Sequence, residues 1–419
     1  MKYVIEGGKK LEGEVKISGN KNSILPCMAA ALLTSEEVIL ENVPEISDVL
    51  VFTEILKHLG SEVKKEEHRL IIKSREIKEA KLPEDLMEKV RASLMFVGAL
   101  LSRQGEAHFT HPGGDVIGKR SIDVHLEGLK DLGIKIIEDG GGFRAVNQAK
   151  ETAKNLEIFL SEPSQTGTSN LLLSSVIGNR VVRLRNCAKE PSNIDLCKML
   201  ISMGAQIEGV GTDTLTIKGV ENLAGTTFRV SDDFAEIGTY AIAAAITGGH
   251  IRLIYHPTTD ILPIFSVFRE FGVDFEFSPY GAEVKADKLR GVDVVKTNVW
   301  PGFPTDLMSV LIVLATQSEG VTLCHDWMYE SRMFFTDKLL AMGAKIIIAD
   351  PHRVLVYGPR KLRGKELETP DIRAGMALVL AALAAEGRSV INRAELIERG
   401  YEDVLGKLSK LGANVKRVQ

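Results

Sequence analysis

The segment 111–120 (HPGGDVIGKR) combines three glycines and a proline with one acid, Asp115, and it ends in the adjacent cations Lys119 and Arg120. Glycine and proline disfavour a helix or a central strand, so the pattern predicts a loop. A flexible loop that carries one acid and ends in cations suits a lid over an anionic ligand. The alternative is a surface hairpin with hydrated charges, since most glycine-rich loops bind nothing.

Further charged and polar residues stand where the sequence predicts that a helix begins, and helix N-termini attract anions. They are Lys21, Asn22, Arg91, Asp306 and Arg373, and two more cations, Arg332 and Arg399, lie in predicted turns. Each has a structural alternative. Asp306 could be a helix N-cap, Lys21 could be a hydrated charge at a strand end, and Arg373 could pair with Asp371. Their placement at equivalent positions of a repeat indicates a site for a polyanion.

That repeat is sixfold: an apolar residue is followed by glycine and a strand-like run, and the glycines are 68 to 73 residues apart. The glycines are Gly60, Gly133, Gly204, Gly272, Gly343 and Gly412. Before each lies an amphipathic helix pattern, often opened by Ser or Asp, as at Ser47, Asp48 and Ser121. The glycine is expected to end that helix in the left-handed conformation.

A second helix pattern, apolar nearly all round, recurs between the amphipathic ones. Its six copies begin near Lys21, Arg91, Gly167, Glu236, Thr305 and Asp371. A helix without a polar face is usually buried, so these helices should lie inside and the amphipathic helices outside. Apolar runs such as 38–40, 181–184 and 321–323 predict strands after the buried helices, and pairs such as 206–207 with 214–217 predict strands after each glycine.

Six units in 419 residues divide as three plus three, because three units give a domain-sized core. The segment 229–233 is the expected boundary. If the buried helices of each half run in one direction, their N-termini collect at one end and attract anions. A cleft between two equivalent halves is where small-molecule sites usually form.

Composition excludes several classes of partner. The net charge is −4, from 52 basic and 56 acidic residues, so no global basic field recruits nucleic acid or an anionic membrane. Four cysteines, Cys27, Cys187, Cys197 and Cys324, lack metal-ligand spacing and are expected to be free thiols in a reducing compartment. No apolar leader follows Met1 and no apolar run reaches membrane-spanning length, so a cytoplasmic protein is expected.

Seven short motifs are spread along the chain. They are KISGNKN at 16–22, VRAS at 90–93, PGGDVIGKR at 112–120, FPTD at 303–306, ESR at 330–332, DIRA at 371–374 and RGYE at 399–402. In residues, order and spacing they resemble the enolpyruvyl transferase family, and in particular its members that act on a nucleotide sugar. The resemblance runs from the first strand to Gly412, which is essentially the whole chain.

The resemblance implies an α/β (α+β) fold of two inverse, inside-out α/β barrel domains, each of three βαβαββ repeats. One domain would comprise residues 22–230 and carry the Gly-rich loop, and the other would comprise 1–21 plus 231–419. The implied reaction transfers the enolpyruvyl group of phosphoenolpyruvate to the 3-hydroxyl of UDP-N-acetylglucosamine and releases phosphate, a step of peptidoglycan synthesis and so of cell shape and division. It implies no metal, no organic cofactor, no nucleic acid and no membrane, and a monomer or weak homo-oligomer.

The resemblance also assigns roles to residues. Lys21, Arg91, Arg120 and Arg399 would hold the phosphate and carboxylate of phosphoenolpyruvate. Asp115 would deliver a proton to the methylene carbon and Asp306 would remove one from the sugar hydroxyl, each worth roughly 10²–10⁴-fold in rate. The expected substrate-binding set is Lys21, Asn22, Arg91, Arg120, Ser121, Ile122, Asp123, Val124, Ser164, Asp306, Met328, Arg332, Asp371, Arg373 and Arg399.

The chain departs from the family pattern at several positions. The family commonly has cysteine at Asp115, and a carboxyl releases its proton at a much lower pH than a thiol, so Asp115 can act as an acid only where its surroundings favour the protonated form. The same substitution predicts resistance to fosfomycin, which alkylates that thiol in the family. Glu162 replaces a lysine, residues 164–166 replace Ser-Val-Gly, and Phe234 replaces an arginine. An acid beside a diphosphate is unfavourable, which leaves the nucleotide half of the substrate open.

Other functions stay open on the sequence. A shikimate-type enolpyruvyl transferase would need a Gly-Asn-Ala-Gly-Thr type loop in the second repeat, where this chain has VRAS at 90–93. In a non-catalytic relative that binds a nucleotide sugar, Asp115 and Glu162 would be signs of decay, although the family's cations are intact. An RNA-cyclase-like relative is disfavoured by the missing basic surface. His125 is expected to be a hydrogen-bonded helix histidine.

Overall fold

The structure is a computed structural model that describes residues 1–115, 117–118, 120–148, 155–256 and 261–418, with the side chain of Asp139 left out. Two residues of the Gly-rich loop, Val116 and Lys119, therefore lie outside the described residues. Helices and strands alternate along the chain, which confirms the mixed α/β class. In the part of the chain that is described, no helix has the length and apolar character needed to cross a membrane.

The described residues form two compact units. Unit 1 comprises 1–18 and the described part of 232–418, together with Asp115, Ile117 and Gly118. Unit 2 comprises 19–114 and the described part of 120–231, so the chain changes unit inside the boundary segment 229–233. The predicted domain 22–230 had included the whole Gly-rich loop, and here the structure differs. Three loop residues group with unit 1 because Asp115 pairs with Arg399 and the Ile117 carbonyl accepts a hydrogen bond from Ser331 N.

Three buried inner helices form the centre of each unit, as the apolar patterns predicted. The inner helices of unit 1 are Phe234–Thr247, Met308–Gln317 and Ile372–Ala384, and those of unit 2 are Lys21–Ala30, Met95–Gln104 and Gln165–Ser175. In unit 1 all three pack on one another. Short 3-10 helices adjoin some of them, at Ala31–Leu33, Arg91–Leu94 and Thr305–Leu307.

Outer helices follow the predicted amphipathic pattern. They are Ser47–His58, Asp123–Asp131, Pro191–Ser202, Leu262–Glu270, Thr336–Ala341 and Val404–Lys410, beside the short helix Glu84–Met87 and the 3-10 helix Ala394–Arg399. The six glycines that follow the outer helices have φ between 84° and 103°, which confirms the left-handed stop. The expected cap at Ser47 or Asp48 is wrong, because Ile46 holds the N-cap position without a side-chain hydrogen bond.

The described residues form six sheets, which surround the inner helices. Those of unit 1 are, in strand order, Glu366–Glu368, Arg388–Asn392, Lys2–Glu6, Asn414–Val418; Asp274–Ser278, Gly281–Lys285, His250–Ile254, Glu12–Lys16; and Val294–Lys296, Gly320–His325, Arg353–Gly358, Lys345–Asp350. Those of unit 2 are Gln206–Glu208, Thr214–Lys218, Val181–Arg185, Asn155–Phe159; Thr226–Arg229, Glu37–Glu41, Arg69–Lys73, Glu62–Glu66; and Glu106–Thr110, Gly142–Asn147, Ile134–Asp139. Each four-stranded sheet has one parallel edge pair and two antiparallel pairs. Unit 1 thus holds three βαβαββ repeats and unit 2 holds two, beside a third whose first strand is reduced to the single bridge of Lys81 with His108. Helices lie inside and sheets outside in both units, as expected of an inverse α/β barrel.

Candidate active site

In unit 1 the N-termini of the three inner helices meet around Asp306. Asp306 lies in the 3-10 turn before Met308–Gln317, and its Oδ2 accepts a hydrogen bond at 2.8 Å from Nη2 of Arg373, the second residue of Ile372–Ala384. The third inner helix is capped by Asp233, whose charge raises the pKa of Arg373. The predicted collection of helix N-termini at one end is therefore confirmed in this unit.

Asp306 is held by two buried arginines. Nη2 of Arg332 lies 3.6 Å from its Oδ1, and the side chains of Arg332 and Arg373 are 2% and 7% exposed against 25% for Asp306. Burial alone would lower the pKa of either guanidinium, but Asp306 and the other acidic groups nearby together outweigh it, and the pKa of each is raised. The alternative that Asp306 caps a helix is wrong, because Leu307 is the N-cap of Met308–Gln317. The arrangement leaves one oriented, partly exposed carboxylate.

A second, fully buried carboxylate, Asp326, fixes the surroundings of Asp306. Its oxygens accept hydrogen bonds from Thr297 Oγ1 at 3.2 Å, Thr305 Oγ1 at 2.5 Å and the backbone N of Met328 at 3.0 Å. It therefore ties the turn that carries Met328 to the turn that carries Asp306. The sequence analysis missed Asp326, although an acid directly after the strand Gly320–His325 was the available signal.

Asp371 caps the inner helix Ile372–Ala384 of the same cluster. Its Oδ1 accepts hydrogen bonds from the backbone N atoms of Arg373 and Ala374, both at 2.9 Å. The alternative that the guanidinium of Arg373 pairs with Asp371 is therefore corrected, since that guanidinium binds Asp306 and lies 5.2 Å from the ring centre of Tyr401. Burial raises the pKa of Asp371 and the charge of Asp115 adds to the rise, while Arg332 opposes it.

The acid of the Gly-rich loop pairs with an arginine. Oδ1 of Asp115 accepts a hydrogen bond at 2.8 Å from Nη1 of Arg399, and the two side chains are 20% and 18% exposed. Further along the loop, Gly118 has φ of +128° and lies so close to Glu330 that a Cβ would stand 2.5 Å from its Oε2. The described loop residues are thus held both by an ion pair and by close backbone packing.

In unit 2, Lys21 begins the inner helix Lys21–Ala30 and is nearly buried. Its Nζ lies 2.7 Å from Oδ2 of Asp48, with side-chain exposures of 12% and 2%. Asn20 caps this helix by accepting hydrogen bonds from the backbone N of Asn22 at 2.8 Å and of Ser23 at 3.3 Å. Lys21 is therefore not a hydrated strand-end charge. The ion pair with Asp48 was not predicted, because the sequence indicated that Asp48 opens another helix.

Arg91 and Arg120 lie together beside the loop glycines. A Cβ built on Gly114 would be 3.2 Å from Cβ of Arg91 and 3.5 Å from Nη1 of Arg120. Nη2 of Arg91 also donates to the carbonyl of Ser121 at 2.5 Å. At Gly113 a Cβ would stand 1.7 Å from a backbone carbonyl oxygen, so only glycine allows this approach. Two cations therefore share one position at the start of the second repeat.

The run from Ser121 to Val124 forms the beginning of an outer helix. Ser121 Oγ accepts a hydrogen bond at 3.0 Å from the backbone N of Asp123, but the N-cap position belongs to Ile122, so the expectation that Ser121 caps this helix is wrong. Ile122 and Val124 are buried, at 5% and 4% exposure, while the Asp123 side chain is exposed. Of these four predicted binding residues, Ser121 and Asp123 are thus the two whose side chains can reach a ligand.

His125 is buried and both of its ring nitrogens form hydrogen bonds, which confirms the prediction of a hydrogen-bonded helix histidine. Asn170 Nδ2 donates to Nδ1 at 3.1 Å, so Nε2 carries the proton and donates to Thr166 Oγ1 at 3.1 Å. Burial, assisted by the charge of Arg91, lowers the pKa of His125 to about 3. Asn170 also accepts a hydrogen bond from Gly98 N at 2.7 Å, and therefore joins three helices.

A small cavity marks where the inner helices of unit 2 begin. It is lined by Asn22, Leu25, Ala92, Met95, Gln165, Thr166 and Ser169, which come from the first turns of all three helices. Ser164 caps the third helix by accepting from Gly167 N at 3.2 Å. The helix N-termini therefore collect at one end here as well. A volume of about 30 Å³ holds water but no sugar.

Two departures from the family pattern have structural explanations. Phe234 is 5% exposed and packs on Trp300 with ring centres 5.4 Å apart. An aromatic packing contact is thus made at the position where the family commonly has an arginine. Glu162 is exposed, so its charge is hydrated. Neither of these residues disturbs a described ion pair of either cluster.

Comparisons with known proteins identify the relatives of this chain. The sequence matches the family described as EPSP synthase (3-phosphoshikimate 1-carboxyvinyltransferase) over residues 5–408. It is 45% identical to a UDP-N-acetylglucosamine 1-carboxyvinyltransferase of Borrelia garinii subsp. bavariensis, over 100% of this chain and 99% of the relative. It is 43% identical to an enzyme of the same name from Bradyrhizobium diazoefficiens, over 100% and 98%.

Solved structures share the fold. The enolpyruvyl transferase NikO from Streptomyces tendae superimposes with a TM-score of 0.88 at 25% identity, covering 99% of this chain and 98% of its own. EPSP synthase from Acinetobacter baumannii gives a TM-score of 0.76 at 17% identity over both full chains. The chain therefore belongs to the EPSP synthase family of enolpyruvyl transferases and, within it, to the UDP-N-acetylglucosamine 1-carboxyvinyltransferases.

Proposed function

We propose that this chain transfers the enolpyruvyl group of phosphoenolpyruvate to the 3-hydroxyl of UDP-N-acetylglucosamine and releases phosphate. The observation that carries the proposal is the carboxylate of Asp306, held and oriented by two buried arginines, in a member of this family. The acceptor is taken from the relatives that are 38–45% identical over their full length and bear that activity in their names. A shikimate-type acceptor is the alternative.

The reaction consists of an addition and an elimination. In the addition, the sugar oxygen bonds to C2 of phosphoenolpyruvate, Asp306 takes the hydroxyl proton, and Asp115 gives a proton to the C3 methylene. In the elimination, the bond from C2 to the phosphate oxygen breaks and the Asp115 carboxylate takes a proton back from C3, which restores the double bond. Each proton transfer by a positioned carboxyl contributes roughly 10²–10⁴-fold.

Four cations bind the two anionic groups of phosphoenolpyruvate: Lys21, Arg91, Arg120 and Arg399. Charge-assisted hydrogen bonds of this kind are about twice as strong as neutral ones. Nη1 of Arg399 lies 2.8 Å from Oδ1 of Asp115, so the cation that would bind the anion also contacts the proposed acid.

Asn22 supports these cations at phosphoenolpyruvate. The remaining predicted substrate-binding residues are Ser121, Ile122, Asp123, Val124, Ser164, Met328, Arg332, Asp371 and Arg373. Arg332, Asp371 and Arg373 also act indirectly, since they position Asp306 or begin the helix beside it. Because Ser121 and Asp123 begin an outer helix with side chains that can reach a ligand, they are suited to hydrogen-bond a base or ribose.

The cellular role follows from the reaction. Its product is a precursor of peptidoglycan, so the activity serves cell wall biogenesis and, through it, cell shape and division. We place the reaction in the cytoplasm, because the four cysteines are free, buried thiols of the kind that persist in a reducing compartment. With Asp115 in place of the usual cysteine, the enzyme resists fosfomycin.

A phosphate-release assay tests the proposal. Phosphoenolpyruvate is mixed with the full chain and either UDP-N-acetylglucosamine or shikimate 3-phosphate, and the 3-O-enolpyruvyl product is identified by mass spectrometry. We expect phosphate release in the mixture with UDP-N-acetylglucosamine and none in the mixture with shikimate 3-phosphate. Release with shikimate 3-phosphate alone would transfer the proposal to the alternative, and binding of the nucleotide sugar without release would identify a non-catalytic relative.

A further inference from the structure

The six sheets offer an internal comparison of outward-facing side chains. In each sheet one central row of paired residues crosses the strands on the outer face. In five sheets this row contains at least one charged residue: Thr227, Ile39, Ile71, Lys64; Glu157, Arg183, Thr216, Glu208; Glu14, Arg252, Glu283, Glu276; Glu366, Val390, Val4, Lys416; and Lys81, His108, Arg144, Ile137. A charged outer row keeps these sheets hydrated.

The sixth sheet, in unit 1, is different. Its central row is Val294, Leu323, Leu355 and Ile347, which we call the apolar row. Val294 is 53% exposed and Ile347 50%, and the neighbouring Val321 is 42% exposed. Four strands about 4.8 Å apart make the row about 14 Å long. An exposed and contiguous apolar surface marks an interaction site more often than scattered residues do.

Cations flank the apolar row on both sides. On one side Lys345 lies over the ring of Tyr357, with Nζ 4.7 Å from the ring centre. On the other side are Lys296 and Arg353, and Arg353 is paired with Asp350 at 2.5 Å. One positive charge is thus left on each side of the row, because Asp350 neutralises Arg353.

The charges beside the apolar row distinguish among the possible binding partners of this surface, which are a second copy of the chain, a membrane and a segment of another protein. In a face-to-face dimer, two surfaces that each carry a net positive charge would meet, and this repulsion disfavours a second copy. Anionic membranes are usually bound by clusters of four to eight Lys or Arg, more than this face carries. A protein segment with apolar side chains and flanking carboxylates satisfies both the row and its rims.

We propose that the apolar row and its lysine rims form a docking surface for an acidic, amphipathic segment of a partner protein. The apolar side chains of that segment cover Val294 and Ile347, and its carboxylates pair with Lys296 and Lys345. The surface is separate from the residues assigned to the reaction, so its role is binding of a partner and not catalysis.

A peptide selection tests this proposal. The full chain is used to select from a display library of random 16-residue peptides, and selected peptides are measured against two variants, Val294→Glu and Ile347→Glu. Both variants copy the equivalent rows of other sheets, where Glu14 and Glu276 occupy these positions, so they should fold. Ile201→Glu is the matched control, since Ile201 is 42% exposed on an outer helix of unit 2.

The expected result is enrichment of peptides with apolar residues between Asp or Glu. Either row variant should weaken their binding at least tenfold, Lys296→Glu should weaken it severalfold, and Ile201→Glu should leave it within twofold. Transferase activity and melting temperature show that each variant is folded.

Four outcomes overturn the proposal. Two concern the selection: the parent chain enriches no peptide beyond those that Ile347→Glu also enriches, or the enriched peptides are basic or uncharged. The other two are a concentration-dependent dimer that Ile347→Glu abolishes, and binding to phosphatidylglycerol vesicles that Ile347→Glu abolishes. The third would assign the surface to a second copy and the fourth to a membrane.

Discussion

Nη2 of Arg373 donates a hydrogen bond at 2.8 Å to Oδ2 of Asp306, although Arg373 is the second residue of an inner helix. The positive end of a helix dipole disfavours a cation at this position. Burial opposes the charge as well, yet Asp306 raises the pKa of Arg373 above its ordinary value. A local rule of helix stability is thus broken at the point where the proposed reaction needs an oriented carboxylate, as is typical of functional sites.

Replacing that carboxylate by an amide tests its role as the base. We expect Asp306→Asn to lower kcat by about 10²–10⁴-fold with little change in KM, because the amide keeps the shape but cannot accept the hydroxyl proton. Steady-state phosphate release measures both constants. Asp337→Asn is the control, since Asp337 is an exposed acid, at 62%, in the same unit. A loss of less than tenfold in Asp306→Asn would show that another group takes the proton.

The neutral state of His125 predicts a pH-dependent stability. Its pKa is about 3 in the folded chain against 6.5 for an exposed histidine. Between pH 6.5 and 3 the unfolded chain binds a proton there that the folded chain does not, so the free energy of unfolding falls as the pH falls. Between pH 7 and 5 this single group should remove about 2 kcal/mol. Urea unfolding at both pH values gives the difference.

The contribution of His125 is isolated by comparison with a variant. His125→Gln removes the titrating ring, and its free energy of unfolding should change with pH by about 2 kcal/mol less than that of the parent chain. His58→Gln, which removes an exposed histidine, should keep the parent's pH dependence. Equal slopes in all three proteins would mean that folding does not lower the pKa of His125.

The repeat and its helices could be predicted from the sequence because they depend on local patterns. Glycine after an amphipathic helix requires the left-handed conformation, and six glycines show it. Helices that are apolar all round have no face for water, so their burial follows. The charged residues of the cluster could be predicted because each lies at or near the start of a predicted helix. The order of the motifs then indicated the family.

Partners of the charged residues could not be predicted in the same way. Lys21 meets Asp48 and Arg373 meets Asp306 across 27 and 67 positions of sequence, and no local pattern specifies such pairs. Asp326 is buried among Thr297, Thr305 and Met328, which only the folded turns bring together. For the same reason the sequence analysis assigned Asp48 to a helix cap.

The packing of the Gly-rich loop predicts a kinetic effect of a small substitution. Gly118→Ala places a Cβ 2.5 Å from Oε2 of Glu330 at φ of +128°, so the loop must shift. Gly178→Ala is closely matched, since Gly178 has φ of +130° and nothing within 4 Å of a Cβ. Both variants should lose about 1 kcal/mol of stability from backbone strain.

Only the loop variant should change turnover. We expect kcat of Gly118→Ala to fall about tenfold because the loop also carries Asp115, whereas Gly178→Ala should keep the parent kcat. Steady-state kinetics and thermal melts of the two variants measure these changes. Equal kcat in the two variants would show that the contact of Gly118 with Glu330 has no part in positioning the acid.

Thiol chemistry predicts how the enzyme responds to fosfomycin and to alkylating agents. All four native cysteines are buried, and burial raises the pKa of Cys187, Cys197 and Cys324 to about 12 and that of Cys27 well above its ordinary value. A thiol must lose its proton to react, so the native protein should stay active and unlabelled in the presence of either reagent.

Asp115→Cys places one thiol at a side chain that is 20% exposed and 2.8 Å from Nη1 of Arg399, a cation that favours the thiolate. Intact-protein mass spectrometry should therefore find one fosfomycin adduct per chain in this variant, with loss of phosphate release, and Asp115→Ser should give neither adduct nor label. An adduct on the parent chain would contradict the proposed resistance, and an unlabelled Asp115→Cys that retains activity would contradict the placement of residue 115 beside the reacting groups.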